Sequence, residues 1–212
     1  LRSEGDEPHT LTGKGNYLFM TGRQDVTIEN INVVGNISFP GDTAVLRLGE
    51  RATGLENIEV TGNAEIVIEK GAEIPKTFTG GGGNLNVSIY CNHDSADFSS
   101  KITQGAGAFK IWFPIELGGI ALPTGGENDT NVTQRDGVTY GLYSNGGTTD
   151  QKIKVTGEVC SYVPYGGKAV TIDTTDLSFT MPSSKVTLKA HTKDDYGYCD
   201  SCQKTDLAEA YK

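Results

Sequence analysis

The chain has 212 residues, enough to bury a real core in one large β domain or in a medium domain with a smaller companion. Its 28 glycines and 8% aromatics, set among many Thr, Val and Asn residues, suit short strands and tight turns and leave little room for long helices. A formal net charge of −9, from 27 acidic and 18 basic residues, opposes binding to nucleic acid or an anionic membrane surface, since both are held by clustered Lys and Arg.

No segment approaches the ~20 uninterrupted apolar residues that span a bilayer. The best stretch, residues 109–122, is broken by Lys110, Pro114, Glu116, Gly118 and Gly119, so no membrane insertion is expected. The chain starts at Leu1 with no charged-then-apolar leader and reads as a processed piece, for which an extracellular place, secreted or attached to the cell wall, is the expectation. Four cysteines are compatible with an oxidising compartment.

Toward the N-terminus, Ile28-Glu29-Asn30-Ile31-Asn32-Val33-Val34-Gly35-Asn36 recurs 27 residues later as Leu55-Glu56-Asn57-Ile58-Glu59-Val60-Thr61-Gly62-Asn63, and Asn84-Leu85-Asn86-Val87 stands another 27 on. Columns at a fixed period are what a solenoid requires, because each coil covers the apolar face of the one before. The expected columns are Asn30/Asn57/Asn84, Ile31/Ile58/Leu85 and Val33/Val60/Val87. Within each unit apolar and polar residues alternate, the signature of a strand with one buried face. Runs at 37–39, 44–48, 65–69 and 88–91 supply further faces, with Gly35, Gly41, Gly49, Gly62 and Gly71 at corners. The pattern resembles the right-handed parallel β-helix of pectin-degrading enzymes and many adhesins; a β-sandwich is the competing architecture. Residues 1–20 and the chain after Trp112 are the natural caps for its ends.

Residues 122–151 are dense in turn formers, including Pro123-Thr124-Gly125-Gly126, Asp136-Gly137 and Asn145-Gly146-Gly147. The expected organisation is therefore a β-solenoid-like domain with about 27-residue repeats over 1–122, a turn-rich linker over 123–137, and a small antiparallel β domain with a Cys-containing tail over 138–212. The fold class is all-β.

In that last part, Gly166-Gly167-Lys168-Ala169-Val170-Thr171-Ile172, followed by Phe179-Thr180-Met181-Pro182-Ser183-Ser184-Lys185-Val186-Thr187-Leu188-Lys189-Ala190, resembles the repeat of internalin-type and related Gram-positive surface proteins. The likeness covers about a quarter of the chain, and His191 stands where those repeats usually carry an apolar residue. It implies an extracellular β module used as a spacer or contact surface, with no catalytic residues to carry over. Read physically, Phe179 and Met181 belong to a core and Pro182 ends one strand before the next.

Several groups invite a chemical reading. Cys199-Asp200-Ser201-Cys202 has the spacing of a zinc knuckle or redox pair, with His191 and His93 as further donors, whereas Cys91 and Cys160 stand far apart in sequence. Disulfides or inert thiols are the leading expectation, and a reactive thiolate lacks the helix-terminus setting it needs. Asp94, Asp97 and Lys101 are the candidates for a polysaccharide lyase or hydrolase. A repeat-built site requires carboxylates in register, however, and Val67, Lys70 and Ile74, one 27-residue period earlier, offer none. Gly80-Gly81-Gly82-Gly83 lacks the ending of a phosphate loop. Glu127, Asn128, Asp129 and Asp136 match no defined calcium loop, and the sequons at Asn128 and Asn131 are too common in such a chain to signal glycosylation. Tyr140, Tyr143, Tyr162, Tyr165, Tyr196 and Tyr198 are the candidates for a sugar-stacking platform.

The reading is thus a non-catalytic structural or adhesive module of a bacterial cell-surface protein, with an unknown surface ligand such as a glycan or a host matrix protein. No catalytic, cofactor-binding or metal residue is assigned. A carbohydrate-binding module and, third, a β-helix polysaccharide lyase or hydrolase are the alternatives.

Overall fold

The computed structural model describes residues 1–19, 25–39, 44–80, 84–104, 108–156, 159–162, 169–192, 198–199 and 204–205. The chain is nearly all strand and contains a parallel β-solenoid of about four turns. Among the described residues the α-helix is confined to four, α1 (Asn128–Asn131). Contacts divide the chain into two compact units: Leu1–Phe113 with Leu142–Thr149, and Pro114–Gly141 with Asp150–Lys212. The turn formers of 123–137 build a helix and a hairpin inside the second unit.

The first unit holds β1 (His9–Phe19), β2 (Val26–Ile28), β3 (Ile31–Phe39), β4 (Ala44–Leu48), β5 (Thr53–Val60), β6 (Ala64–Ile68), β7 (Thr77–Gly80), β8 (Val87–Cys91), β9 (Ile102–Gln104) and the first part of β10 (Phe109–Glu116). Successive strands alternate between two parallel sheets. One runs β1-β3-β5-β7-β9, and in the other β2, β4, β6, β8 and β10 are neighbours in that order. The coil is therefore built on two described sheets, with corners such as Glu29-Asn30 and residues 49–52 between them.

Alternation along each strand sends one set of side chains inward, and parallel pairing stacks them. Leu46, Ile66, Ile89 and Ile111 form one in-register column, and Ile28, Leu48, Ile68 and Cys91 another; all eight are buried. In the facing sheet Ile37, Ile58 and Phe78 are aligned and solvent-free. Toward the last coils the interior becomes aromatic. Phe98 packs on Phe78 and Phe113, each at 6.0 Å between ring centroids, and Tyr143 meets Phe113 edge-on at 5.8 Å. The outer side carries a ladder of polar contacts. Asn57, for example, donates to Thr79 Oγ1 (3.0 Å) and accepts from Thr77 Oγ1 (2.9 Å).

The 27-residue columns are corrected by this register. Ile58 faces Ile37 and Asn57 faces Asn36, a spacing of 21, and other aligned pairs differ by 19 (Tyr17↔Asn36) to 25 (Thr79↔Gln104). Asn84 and Leu85 lie outside the strands, and Val87 opens a strand of the other sheet. The reason is the parity of strands. A 27-residue offset departs from the β3–β5 offset of 21 by six residues, an even number, so Ile31 and Val33 are buried as Ile58 and Val60 are while pairing with different partners. Asn30 plays a different part. At φ +52, its Nδ2 donates to Ser3 Oγ (3.1 Å) and to the carbonyls of Ser3 (3.3 Å) and Gly5 (2.9 Å). It thereby ties the N-terminal residues down at a corner.

The register between β3 and β5 shifts twice in succession, between Asn32 and Gly35 and again between Gly35 and Asn36, where Glu56 is the extra residue of β5. Asn32 pairs with Thr53 and Gly35 with Leu55, so Val33 and Val34 stand opposite Gly54 alone, a β-bulge. Gly54 has φ +77, and a Cβ there would lie 2.5 Å from the Val33 carbonyl oxygen and closer still to Asn32 Oδ1.

The second unit contains a short hairpin of β11 (Val132–Arg135) and the start of β12 (Val138–Asn145), turning at Asp136-Gly137 with positive φ at both residues, the type I′ geometry expected of Asp-Gly. It also holds β13 (Lys152–Lys154) paired antiparallel with β15 (Ser178–Thr180), and β14 (Val159–Tyr162) paired antiparallel with β16 (Val186–Ala190). β17 (Tyr198–Cys199) and β18 (Lys204–Thr205) form a two-residue ladder. Phe179, Met181, Val186 and Leu188 are buried, as the strand-proline-strand reading of that segment requires.

Trp112, the one tryptophan, is buried in the first unit and reports its unfolding. By tryptophan fluorescence in denaturant, Ile66→Ala is expected to cost about 2–5 kcal/mol and the exposed Thr61→Ala less than about 0.5. Gly54→Ala, which forces a side chain into the bulge, is expected to cost about 1–3 kcal/mol.

Candidate functional site

Asp94, Asp97 and Lys101 follow β8 and lie in one loop region, but Asp94 and Lys101 reach the preceding turn and Asp97 caps its own loop. Asp94 pairs with Lys70 of the preceding turn at 2.6 Å, an exposed contact of small energetic weight. Asp97 caps its own loop, accepting from the Ser99 amide at 2.8 Å. Hydrogen bonds from the Ser99 side chain and backbone hold its carboxyl below the ordinary range, which disfavours the protonated form a general acid needs at neutral pH. Lys101 Nζ donates to the Pro75 carbonyl at 3.0 Å. Beside them, Arg47 and Asn92 both reach the Glu69 carboxylate, Asn92 Nδ2 at 2.7 Å, a second polar ladder that crosses successive turns.

The tyrosines do not assemble a platform among the described side chains. Tyr140 is buried and Tyr143 is half-buried against Phe113. Tyr165 and Tyr196 lie outside the described residues. The near-planar stack that does form, Tyr90 on Trp112 with 17° between the rings, consists of two buried residues. A polar surface hollow of about 380 Å³ at the N-terminal corner is lined by Arg2, Ser3, Glu4, Gly5, Glu29, Asn30, Glu50 and Arg51.

Glu127, Asn128, Asp129 and Asp136 each make a contact within the second unit. Asn128 is buried and grips the backbone: its Nδ2 donates to the carbonyls of Pro123 (2.7 Å) and Lys154 (3.1 Å), while its Oδ1 accepts from the Lys154 amide (2.9 Å). Asn131, also buried, donates to the Lys152 carbonyl at 3.0 Å. Asp129 accepts from the Gly125 amide, and Asp136 pairs with Arg135. The two sequon asparagines are therefore internal clamps on β13. On its other side β13 is held by Asp176, which takes hydrogen bonds from Lys152 Nζ (2.7 Å) and Ser178 Oγ (2.5 Å). Those bonds hold the Asp176 carboxyl far below the ordinary carboxylate range.

The cysteines separate into two kinds. Cys91 is a wholly buried member of the solenoid column, and burial pushes its thiol up to about 11; it is uncharged at neutral pH and unsuited to nucleophilic or redox work. In the second unit, Cys160 of β14, His191 just after β16 and Cys199 of β17 converge, with their donor atoms all within 4.8 Å of one another. His191, an expected donor, does join; His93 lies with Cys91 in the first unit. Cys160 joins through the fold alone, 39 residues before Cys199 in sequence. Cys202 lies outside the described residues.

Asn128→Ala is expected to destabilise the second unit by about 1–3 kcal/mol, through unpaired backbone groups left on Lys154 and Pro123, as hydrogen exchange of the β13 amides reads out. Because the Asp176 carboxyl is depressed in the folded chain, its contribution is present above the ordinary carboxylate pKa and is lost as pH falls through the lower folded value. Acid titration is thus expected to narrow the stability gap between the wild-type chain and Asp176→Asn below about pH 4. No family model, no curated protein and no solved structure matches this chain.

Proposed function

We propose that this chain is a non-catalytic structural or adhesive module of an extracellular, cell-surface protein of the Gram-positive internalin-like kind. The observation that carries this reading is the solenoid itself. Its interior is filled by continuous apolar columns, and the carboxylates nearest to an enzyme-like cluster, Asp94 and Asp97, are used in a cross-turn ion pair and a loop cap. Stacked coils give stiff reach for few residues, which is what a spacer or presenting module needs. The resemblance of residues 179–190 to a surface-protein repeat supports the same assignment and the extracellular location.

The carbohydrate-binding alternative depends on clustered exposed aromatic rings, and Tyr140 and Tyr143 are taken up by packing. The enzyme alternative depends on carboxylates recurring along the turns, and Asp94 has Lys70 beside it on the previous one.

The purified chain is expected to release no unsaturated products from pectins, other plant polysaccharides or host glycans, while beads coated with it adhere to a glycan or matrix-protein array. Product formation that disappears in Asp94→Asn or Asp97→Asn would transfer the assignment to a β-helix lyase.

A further inference from the structure

The geometry points to a metal site in the second unit: Cys160, His191 and Cys199 bind one thiolate-preferring divalent ion of the zinc class, and that ion fastens the β17–β18 hairpin to the β14–β16 sheet.

Three segments supply the donors. Cys160 lies on β14, which pairs with β16 through Val159↔Ala190 and Cys160↔Lys189, so the ladder brings the first residue past β16, His191, close to Cys160. Cys199 ends β17 and pairs with Lys204. The sulfur atoms of Cys160 and Cys199 are 3.9 Å apart. A disulfide requires ~2.05 Å between sulfurs. Two thiolates each ~2.3 Å from a tetrahedral ion stand roughly 3.8 Å apart. The observed separation is that of a tetrahedron's edge, and the imidazole lies within the same 4.8 Å envelope.

The setting also calls for a cross-link. β17 and β18 are two residues each, too short to persist on their own hydrogen bonds, yet Cys199 has no exposed surface and Cys160 only 6%. Thiolate-ion bonds fix such a short element where there is little apolar area to do so, and the binding energy becomes folding energy. Two sulfurs and an imidazole select zinc over calcium or magnesium, which take oxygen donors. His191 is half-buried, so the site opens to solvent on its side and the ion has a path in.

The test uses the full chain without a histidine tag, purified without chelator and under reducing conditions. Metal analysis is expected to find about one zinc per chain. Cobalt replacing it should give the sulfur-to-metal charge-transfer band and the intense visible bands of a tetrahedral thiolate site. Removing zinc with a chelator should lower the melting temperature, and adding zinc back should restore it. His191→Ala alters a half-buried residue and leaves both thiols, so it tests coordination without emptying the core; it should lose stoichiometric zinc, as should Cys160→Ser. Cys91→Ser, in the other unit, should keep it. Failure of the reduced wild-type chain to take up zinc or cobalt would overturn the site. So would full zinc retention in both His191→Ala and Cys160→Ser, or a Cys160–Cys199 disulfide found by non-reducing peptide mapping of the native chain.

Discussion

The apolar face of each coil can be covered only by the next coil, and most of the first unit follows from that constraint. It requires parallel pairing, because only parallel strands one turn apart bring like residues over like. It also requires alternation, because a sheet that is core on one side must be polar on the other. The Leu46-Ile66-Ile89-Ile111 and Ile28-Leu48-Ile68-Cys91 columns are the result. Outside them, Asn57 with Thr77 and Thr79, and Glu69 with Arg47 and Asn92, repeat the same neighbour relation in polar form. Toward the last turns the columns give way to Phe78, Phe98, Phe113 and Tyr143, whose rings fill a wider space than aliphatic side chains do.

The second unit is held together by different means. It has a small apolar core around Phe179, Met181, Val186 and Leu188, and much of its definition comes from side chains that hold backbone. Asn128 and Asn131 grip β13 from one direction, and the Asp176 carboxylate gathers Lys152 and Ser178 from another. A unit whose strands are this short has few ladder hydrogen bonds, so individual polar contacts carry a larger share of its specification.

The class of fold was legible in the sequence because alternation and self-similarity are local properties of the chain, visible in Ile31-Asn32-Val33 as readily as in Ile58-Glu59-Val60. The vertical partners were not, since corner lengths between strands decide which residue arrives over which, and those lengths vary from turn to turn. Asn30 shows the same limit: its likeness to Asn57 is one of neighbouring letters, while one sits at a corner with positive φ and the other within a strand. The turn chemistry of Asp136-Gly137 was readable. The burial of Asn128 and Asn131 was not, because the β13 groups they satisfy, on Lys154 and Lys152, lie more than twenty residues away. Among the cysteines, the Cys199-x-x-Cys202 spacing and His191 were visible signals; Cys160 had none, as only the antiparallel pairing of β14 with β16 carries it to the others.

The bulge at Gly35 and Gly54 bears on how such a chain avoids misalignment while it folds. A face that merely alternates is degenerate: sliding one strand past the next by two residues leaves every apolar side chain inside, and hydrophobic burial hardly distinguishes the slipped state from the native one. An irregularity breaks that translational symmetry. Val33 and Val34 have room only opposite a residue without a side chain, and Gly54 is the position where the Asn32 amide and Val33 carbonyl leave none for a Cβ. A slip by two would place Ala52 or Glu56 there instead, and both carry the atom that does not fit. One local defect thus selects a single alignment for a sheet whose regular part would accept several.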